Sequence, residues 1–252
     1  YVDYVHNRTF RQTMLCHEAV VLRRTLKPER VSGLCAASRA QPAAPDPDVR
    51  SVSVVQFCGT DGATLSIDHP VSKAAILYLA EVWPQVVPFE TLLSAARDRL
   101  TAAPDTAALD AQVLAANLLM AYSYSDKLVE LHTYAPPVAS EVADCPTASH
   151  VARFQAGRHN ARVTNLRHER VSLEEADLFL LSYLNGANDR QALVDLLLAG
   201  PVAEGILTVQ EDGKPVEDTG RVRQLLAKGL EKKLSWLASA GLLLDQQPDM
   251  QA

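Results

Sequence analysis

The residues of this chain that invite chemistry do not converge. Cys16-His17 offers a thiol beside an imidazole, half of a metal site or a nucleophile with its base. Neighbours in an extended segment point to opposite faces, however, and cannot meet at one atom. His69 precedes Pro70 and reads as a turn residue at a helix start rather than a catalyst. Gly59-x-x-Gly62 follows a strand-like run, as nucleotide-binding loops do, but no helix comes after it to present its N-terminus to a phosphate. The four cysteines (Cys16, Cys35, Cys58 and Cys145) follow neither metal nor disulfide spacing and read as reduced thiols of a cytoplasmic protein. Asn7-Arg8-Thr9 matches a glycosylation sequon, which is set aside because no secretion signal is visible. Arg153, Arg158, His159 and Arg162 surround Phe154, so a phosphate or nucleic-acid contact and a solvated connector both fit. The connector reading is favoured, because neither a glycine-rich loop nor a repeated aromatic platform accompanies the cluster. With no convergent acid, base and nucleophile, the chain reads as docking modules rather than as an active site.

The elements that carry these residues follow a plan that occurs twice. Ser51 to Cys58 and Thr64 to Ile67 form a hairpin around Asp61-Gly62, where glycine supplies the positive φ of the turn. A helix opens at Pro70 and ends before Trp83-Pro84, a second begins at Phe89, a long one runs from about Leu109 to Tyr124, and a strand follows over Leu128 to His132. The second copy has a helix after Val171-Ser172, an Asn185-Gly186 stop, a helix from Asp189, a hairpin around Asp212-Gly213, a long helix from about Gly220, and a Leu242-Leu243-Leu244 strand. Ile76 to Leu79 in one copy answers Leu180 to Leu184 in the other, each with apolar residues three and four apart. Three helices with a hairpin make a winged helix, so the fold class is α+β with tandem winged-helix-like units. The expected divisions are 1–40 for an entering segment, 50–135 for the first unit and 150–245 for the second. Proline-rich stretches, 41–48 and 134–150, serve as linkers. The long helix Leu109 to Tyr124 bears one charge in its body, Asp110, and is expected to be covered on most sides.

Charge narrows the partners. The net value of −6 and pI of about 5.6 argue against nucleic acid or an anionic membrane, and no apolar run is long enough to span a bilayer, so a soluble chain is expected. The last long helix carries Arg221, Arg223, Lys228, Lys232 and Lys233, as a groove-reading helix would. Its wing carries Glu211, Asp212, Glu217 and Asp218, which phosphates would repel. Residues 1–40 are the basic end, with seven Lys or Arg against three acids. There Tyr4, Arg8, Phe10 and Arg11 form an aromatic and arginine cluster of the kind that dominates interfaces. The chain begins at Tyr1 and is expected to be a piece of something longer.

The opening residues Tyr4, Asn7, Arg8, Phe10, Arg11, Thr13, Leu15 and Cys16 resemble the end of the regulatory domain of bacterial class I SAM-dependent methyltransferases, the group that includes rickettsial protein-lysine methyltransferases. His69-Pro70-x-x-Lys73-Ala74-Ala75, Trp83-Pro84, Phe89, Pro146-x-Ala148-Ser149-x-x-Ala152-Arg153-x-Gln155, Asn165-x-x-His168, Leu184-Asn185-Gly186 and Asp189-Arg190 are similar to the C-terminal region of that family. Asn185 stands where the family tends to carry Asp, so no role rests on a carboxylate there. The resemblance implies a regulatory and C-terminal part without the SAM-binding half, hence no cofactor in this chain and SAM in a preceding domain. The implied partners are a methyltransferase catalytic domain and its protein substrate. The rival is a winged-helix nucleic-acid-binding module.

Overall fold

The computed structural model describes residues 15–21, 25–211, 214–216 and 218–245. Tyr4, Arg8, Phe10 and Arg11, with the helix expected around them, lie outside the described residues.

The first unit starts with a 3-10 turn, Pro28–Gly33, and continues through strands β1 (Cys35–Ala37), β2 (Gln41–Pro42), β3 (Val55–Cys58) and β4 (Thr64–Ile67). The alternation read from the sequence is what pairs β3 with β4: Val55, Phe57, Leu65 and Ile67 are buried while Gln56, Thr64 and Ser66 face out. Gly62 closes the turn at φ +83°, and the Asp61 carboxylate accepts from the Ala63 N–H at 3.0 Å. β2 adds to β3, so the proline-rich stretch expected to be a linker begins as an edge strand; edge positions tolerate the N–H that proline lacks.

Helix α1 (Pro70–Glu81) is buried along Val71, Ser72, Lys73, Ala74, Ala75, Ile76 and Leu79, and is the centre of the unit. Its N-cap is His69, whose side chain makes no capping bond; Pro70 sets the first turn instead. Strand β5 (Val87–Pro88) leads into α2 (Phe89–Leu100), then α3 (Ala107–Tyr124) and β6 (Glu130–His132). β1 lies between β5 and β6 in an antiparallel sheet, with Ala36 opposite both Val87 and Leu131. α3 buries Leu114, Ala115, Leu118 and Ala121 in the same core as Phe57, Ile76, Leu79 and Leu92. Its other face leaves Leu109, Met120 and Tyr124 exposed, so the helix is covered on one side where covering on most sides was expected.

The second unit comprises α4 (His150–Ala156), the hairpin β7 (Arg162–Thr164) and β8 (Arg170–Ser172), α5 (Glu175–Tyr183), α6 (Arg190–Leu197), the wing β9 (Gln210–Glu211) and β10 (Lys214–Pro215), and α7 (Thr219–Ser239). Asp189 and Asp218 cap α6 and α7, accepting from the N–H groups of Ala192 and Arg221 at 2.8 and 2.7 Å. Gly186 follows α5 at φ +83°. Leu181, Leu184, Leu193, Leu234, Leu237 and Leu242 form a core of their own.

The stretch expected as a second linker belongs to this unit. Ala148 bridges Leu243, Val138 bridges Leu244, Thr147 bridges Asn185, and Val138, Ala139 and Ala148 are buried. The terminal leucines thus reach back about a hundred residues to pair, and the pairing orders a segment whose composition reads as loop. The architecture is α+β, two winged-helix-like units in series.

Candidate functional site

The residues singled out for chemistry are dispersed. No disulfide joins any of the four cysteines among the described residues, and burial raises the pKa of the Cys35 thiol, which keeps it from being a thiolate. Among the described residues no three His, Cys, Asp or Glu side chains gather where a metal ion could be held. His69 Nε2 lies 3.9 Å from Asp110, a pairing that suggests a proton relay. The Asp110 carboxylate, however, is held by Arg97 and accepts from Thr106 Oγ1 at 2.7 Å. Desolvation lowers the pKa of His69, away from the charged form that an ion pair with Asp110 requires.

Lys73 on α1 is fully buried, 0% exposed, and its ammonium donates to the backbone carbonyls of Asp48, Ser51 and Ser53 at 2.7, 2.7 and 2.9 Å. An ammonium has three donors, and here each finds an oxygen. This is why Ser51 to Ser53, expected to extend the strand, leave it: their carbonyls turn to the lysine instead of a neighbouring strand.

The polar centre of the molecule is the junction between the units. The loop between β7 and β8 is set by Asn165, whose Oδ1 accepts from the N–H groups of Arg167 and Glu169 at 2.9 and 2.8 Å, and whose Nδ2 donates to the Ala240 carbonyl at 2.9 Å. Held in this way, Arg167 enters the first unit with its side chain 1% exposed. Its guanidinium donates to the Pro84 carbonyl at 3.0 Å, pairs with Glu130 on β6, and stacks on Trp83 with Cζ 4.1 Å from the ring centroid. Arg39 also stacks on Trp83, at 4.3 Å, and pairs with Glu169 at 3.2 Å.

Each unit thus contributes an arginine and a carboxylate, with Trp83 common to both arginines. Burial pulls the pKa of Arg167 down and the facing Glu130 and Glu169 push it back up; a guanidinium stays charged throughout. Trp83 and Pro84 separate two clefts of about 410 and 560 Å³, and Trp236 lines the first of these, so both tryptophans of the chain stand at the junction. In the sequence Trp83 marks a helix end and a family-like motif, and nothing there distinguishes Arg167. The signal available was an arginine between Asn165 and Glu169 in a turn, with no means of seeing Glu130 opposite it.

The basic residues of α7, where a nucleic-acid reader would make its contacts, are largely committed within the unit. Arg221 pairs with Glu211 of the wing, Arg223 with Asp195 of α6, and Lys233 with Asp177 of α5. Among the described residues no helix is long and apolar enough to cross a membrane.

Residues 144–242 match the family described as PKMT, C-terminal winged helix domain. An uncharacterised protein of Rickettsia prowazekii (strain Madrid E) is 25% identical over 250 residues, covering 97% of this chain and 44% of the relative. A solved structure of PKMT2 from Rickettsia typhi superposes with a TM-score of 0.77 at 17% identity, over 96% of this chain and 49% of that one. A second structure of PKMT2, in complex with AdoHcy, gives 0.72 at 18% identity, over 96% and 48%. At these identities the structural likeness shows the fold. The chain spans less than half the length of the relatives it matches. The methyltransferase resemblance drawn from the motifs is therefore met again in the family match to the second unit and in the fold of PKMT2.

Proposed function

We propose that this chain is a non-catalytic accessory region of a SAM-dependent protein methyltransferase, acting through protein–protein contacts with a catalytic domain and its protein substrate. The observation that carries the reading is the use of charge on α7. Arg221, Arg223 and Lys233 pair with carboxylates of the same unit, so of the five cations on the helix that a winged-helix DNA reader lays in the groove, only Lys228 and Lys232 have no carboxylate within 4.0 Å among the described residues. The buried junction at Arg167 supports it from another side, since two units locked together make a single platform for a large partner. SAM belongs to a preceding domain of a longer protein in this proposal, and Tyr4, Arg8, Phe10 and Arg11 contact that domain.

The test is a longer protein containing this chain, with Arg8→Ala and Arg11→Ala introduced together. The proposal expects methyl transfer or domain association to fall while the thermal stability of the chain alone is unchanged. Lost stability with unchanged transfer would sink the contact role of that stretch. Nanomolar, steeply salt-dependent binding of duplex DNA would replace the protein-contact reading with the nucleic-acid one.

A further inference from the structure

The eight arginines from residue 150 onward divide into two sets. Arg153 contacts His150 and the Ala148 carbonyl; Arg167, Arg190, Arg221 and Arg223 are held by carboxylates or carbonyls of the chain. For Arg158, Arg162 and Arg170, no carboxylate among the described residues stands within 4.0 Å. All three of this second set belong to one small structure, the turn after α4 and the β7–β8 hairpin.

Register places Arg162 opposite Ser172 and Thr164 opposite Arg170, so Arg162 and Arg170 share one face of the hairpin as diagonal neighbours. That face is clamped to α4 by Gln155, whose Nε2 donates to Thr164 Oγ1 at 3.2 Å and whose Oε1 accepts from the Thr164 N–H at 2.6 Å. On α4, Val151 and Phe154 lie three residues apart on one side and remain 55% and 61% exposed. The Arg158 guanidinium covers the Phe154 ring, Cζ 4.5 Å from its centroid.

An exposed aromatic with a stacked arginine and two further arginines without a carboxylate partner offer apolar area and positive charge together, on a chain whose net charge is −6. We infer that this face docks an acidic segment of a partner protein, one that alternates carboxylates with apolar side chains. The carboxylates pair with Arg162 and Arg170, and an apolar side chain packs on Phe154 and Val151. The Phe154 ring and the Arg158 guanidinium stacked on it are already placed, which limits the ordering needed there on binding. Charge complementarity selects an acidic partner; nucleic acid, which the same arginines attract, finds a single exposed aromatic here on which to stack a base. The inference deepens the protein-contact role proposed above by giving the partner its chemistry.

The experiment is fluorescence anisotropy of a short fluorescein-labelled peptide alternating glutamate with leucine, titrated with this chain at low and at physiological salt. Expected are saturable binding, a loss of about tenfold or more in both Arg162→Glu/Arg170→Glu and the milder Arg162→Gln/Arg170→Gln, and a similar loss in Phe154→Ala. All variants change exposed side chains and should keep the parent melting temperature. Absence of saturable binding, equal binding by the variants, or tighter binding of a lysine–leucine peptide or a single-stranded oligonucleotide overturns the inference. Such a failure leaves the association with a catalytic domain standing, because that is measured separately through Arg8 and Arg11.

Discussion

Replacing Arg167 with Met keeps most of the side-chain volume and removes the guanidinium from the junction. Its loss takes away the bond to the Pro84 carbonyl, the pair with Glu130 and the stack on Trp83. Hydrogen bonds to a charged group contribute roughly 1.5–3 kcal/mol each, and a stacked cation about 0.5–2 kcal/mol. These terms share one group and do not add, and Glu130 keeps 24% exposure and a second partner in His132, which moderates the penalty of leaving it unpaired. We expect a net loss of about 3 kcal/mol, which at roughly 2–4 °C per kcal/mol for a chain of this size lowers the melting temperature by about 6–12 °C. Scanning calorimetry reads the shift and should also show the transition broadening or splitting as the units uncouple. A double-mutant cycle with Glu130→Gln isolates the pair, with a coupling of about 1–3 kcal/mol expected. A melting temperature unchanged within about 1 °C, or additive effects in the cycle, would refute the junction as the element that locks the units.

Three further outcomes follow from the same structure. Lys73→Met leaves the carbonyls of Asp48, Ser51 and Ser53 without their donor, with an expected cost of about 3 kcal/mol and protease cleavage appearing in the 48–54 loop, both readable by urea unfolding and limited proteolysis. Gly200→Ala sets a methyl group 2.6 Å from Cζ of Phe179, and about 1–3 kcal/mol of destabilisation is expected in chemical unfolding. Desolvation holds the folded-state pKa of His69 below the unfolded value of about 6.5, so the unfolded chain binds more protons there. The stability tied to this residue is complete above the unfolded value and is lost as pH falls through it towards the lower folded one. Urea unfolding at a series of pH values should show this slope, and His69→Asn should flatten it.

Local signals carried most of the elements. Asp61-Gly62 between alternating runs, Pro70 at a helix start, Asp189 before α6 and Gly186 after α5 each state a backbone geometry that only a few residues favour, and the structure has those geometries. What composition could not state is anything fixed by a distant partner. Lys73 looks like an ordinary helix lysine until three carbonyls from the 48–53 loop close on it. Arg167 has the setting of an ordinary turn residue until Glu130 and Trp83 arrive from the other unit. The 134–150 segment reads as linker by its prolines, and it is ordered by Leu243 and Leu244 at the far end of the chain. α3 shows the converse error: a nearly uncharged sequence suggested covering on most sides, and the unit has only enough neighbours for one.

In the proposed role this chain serves a methyltransferase without binding the cofactor itself. Calorimetric titration of SAM into this chain, paired with methyl transfer by a longer protein carrying or lacking it, reads both halves of that statement. Expected are no SAM binding by the chain, and cofactor binding retained with protein methylation lost when the chain is deleted. Micromolar SAM binding by the chain, or methylation of protein at an unchanged rate after its deletion, would contradict it.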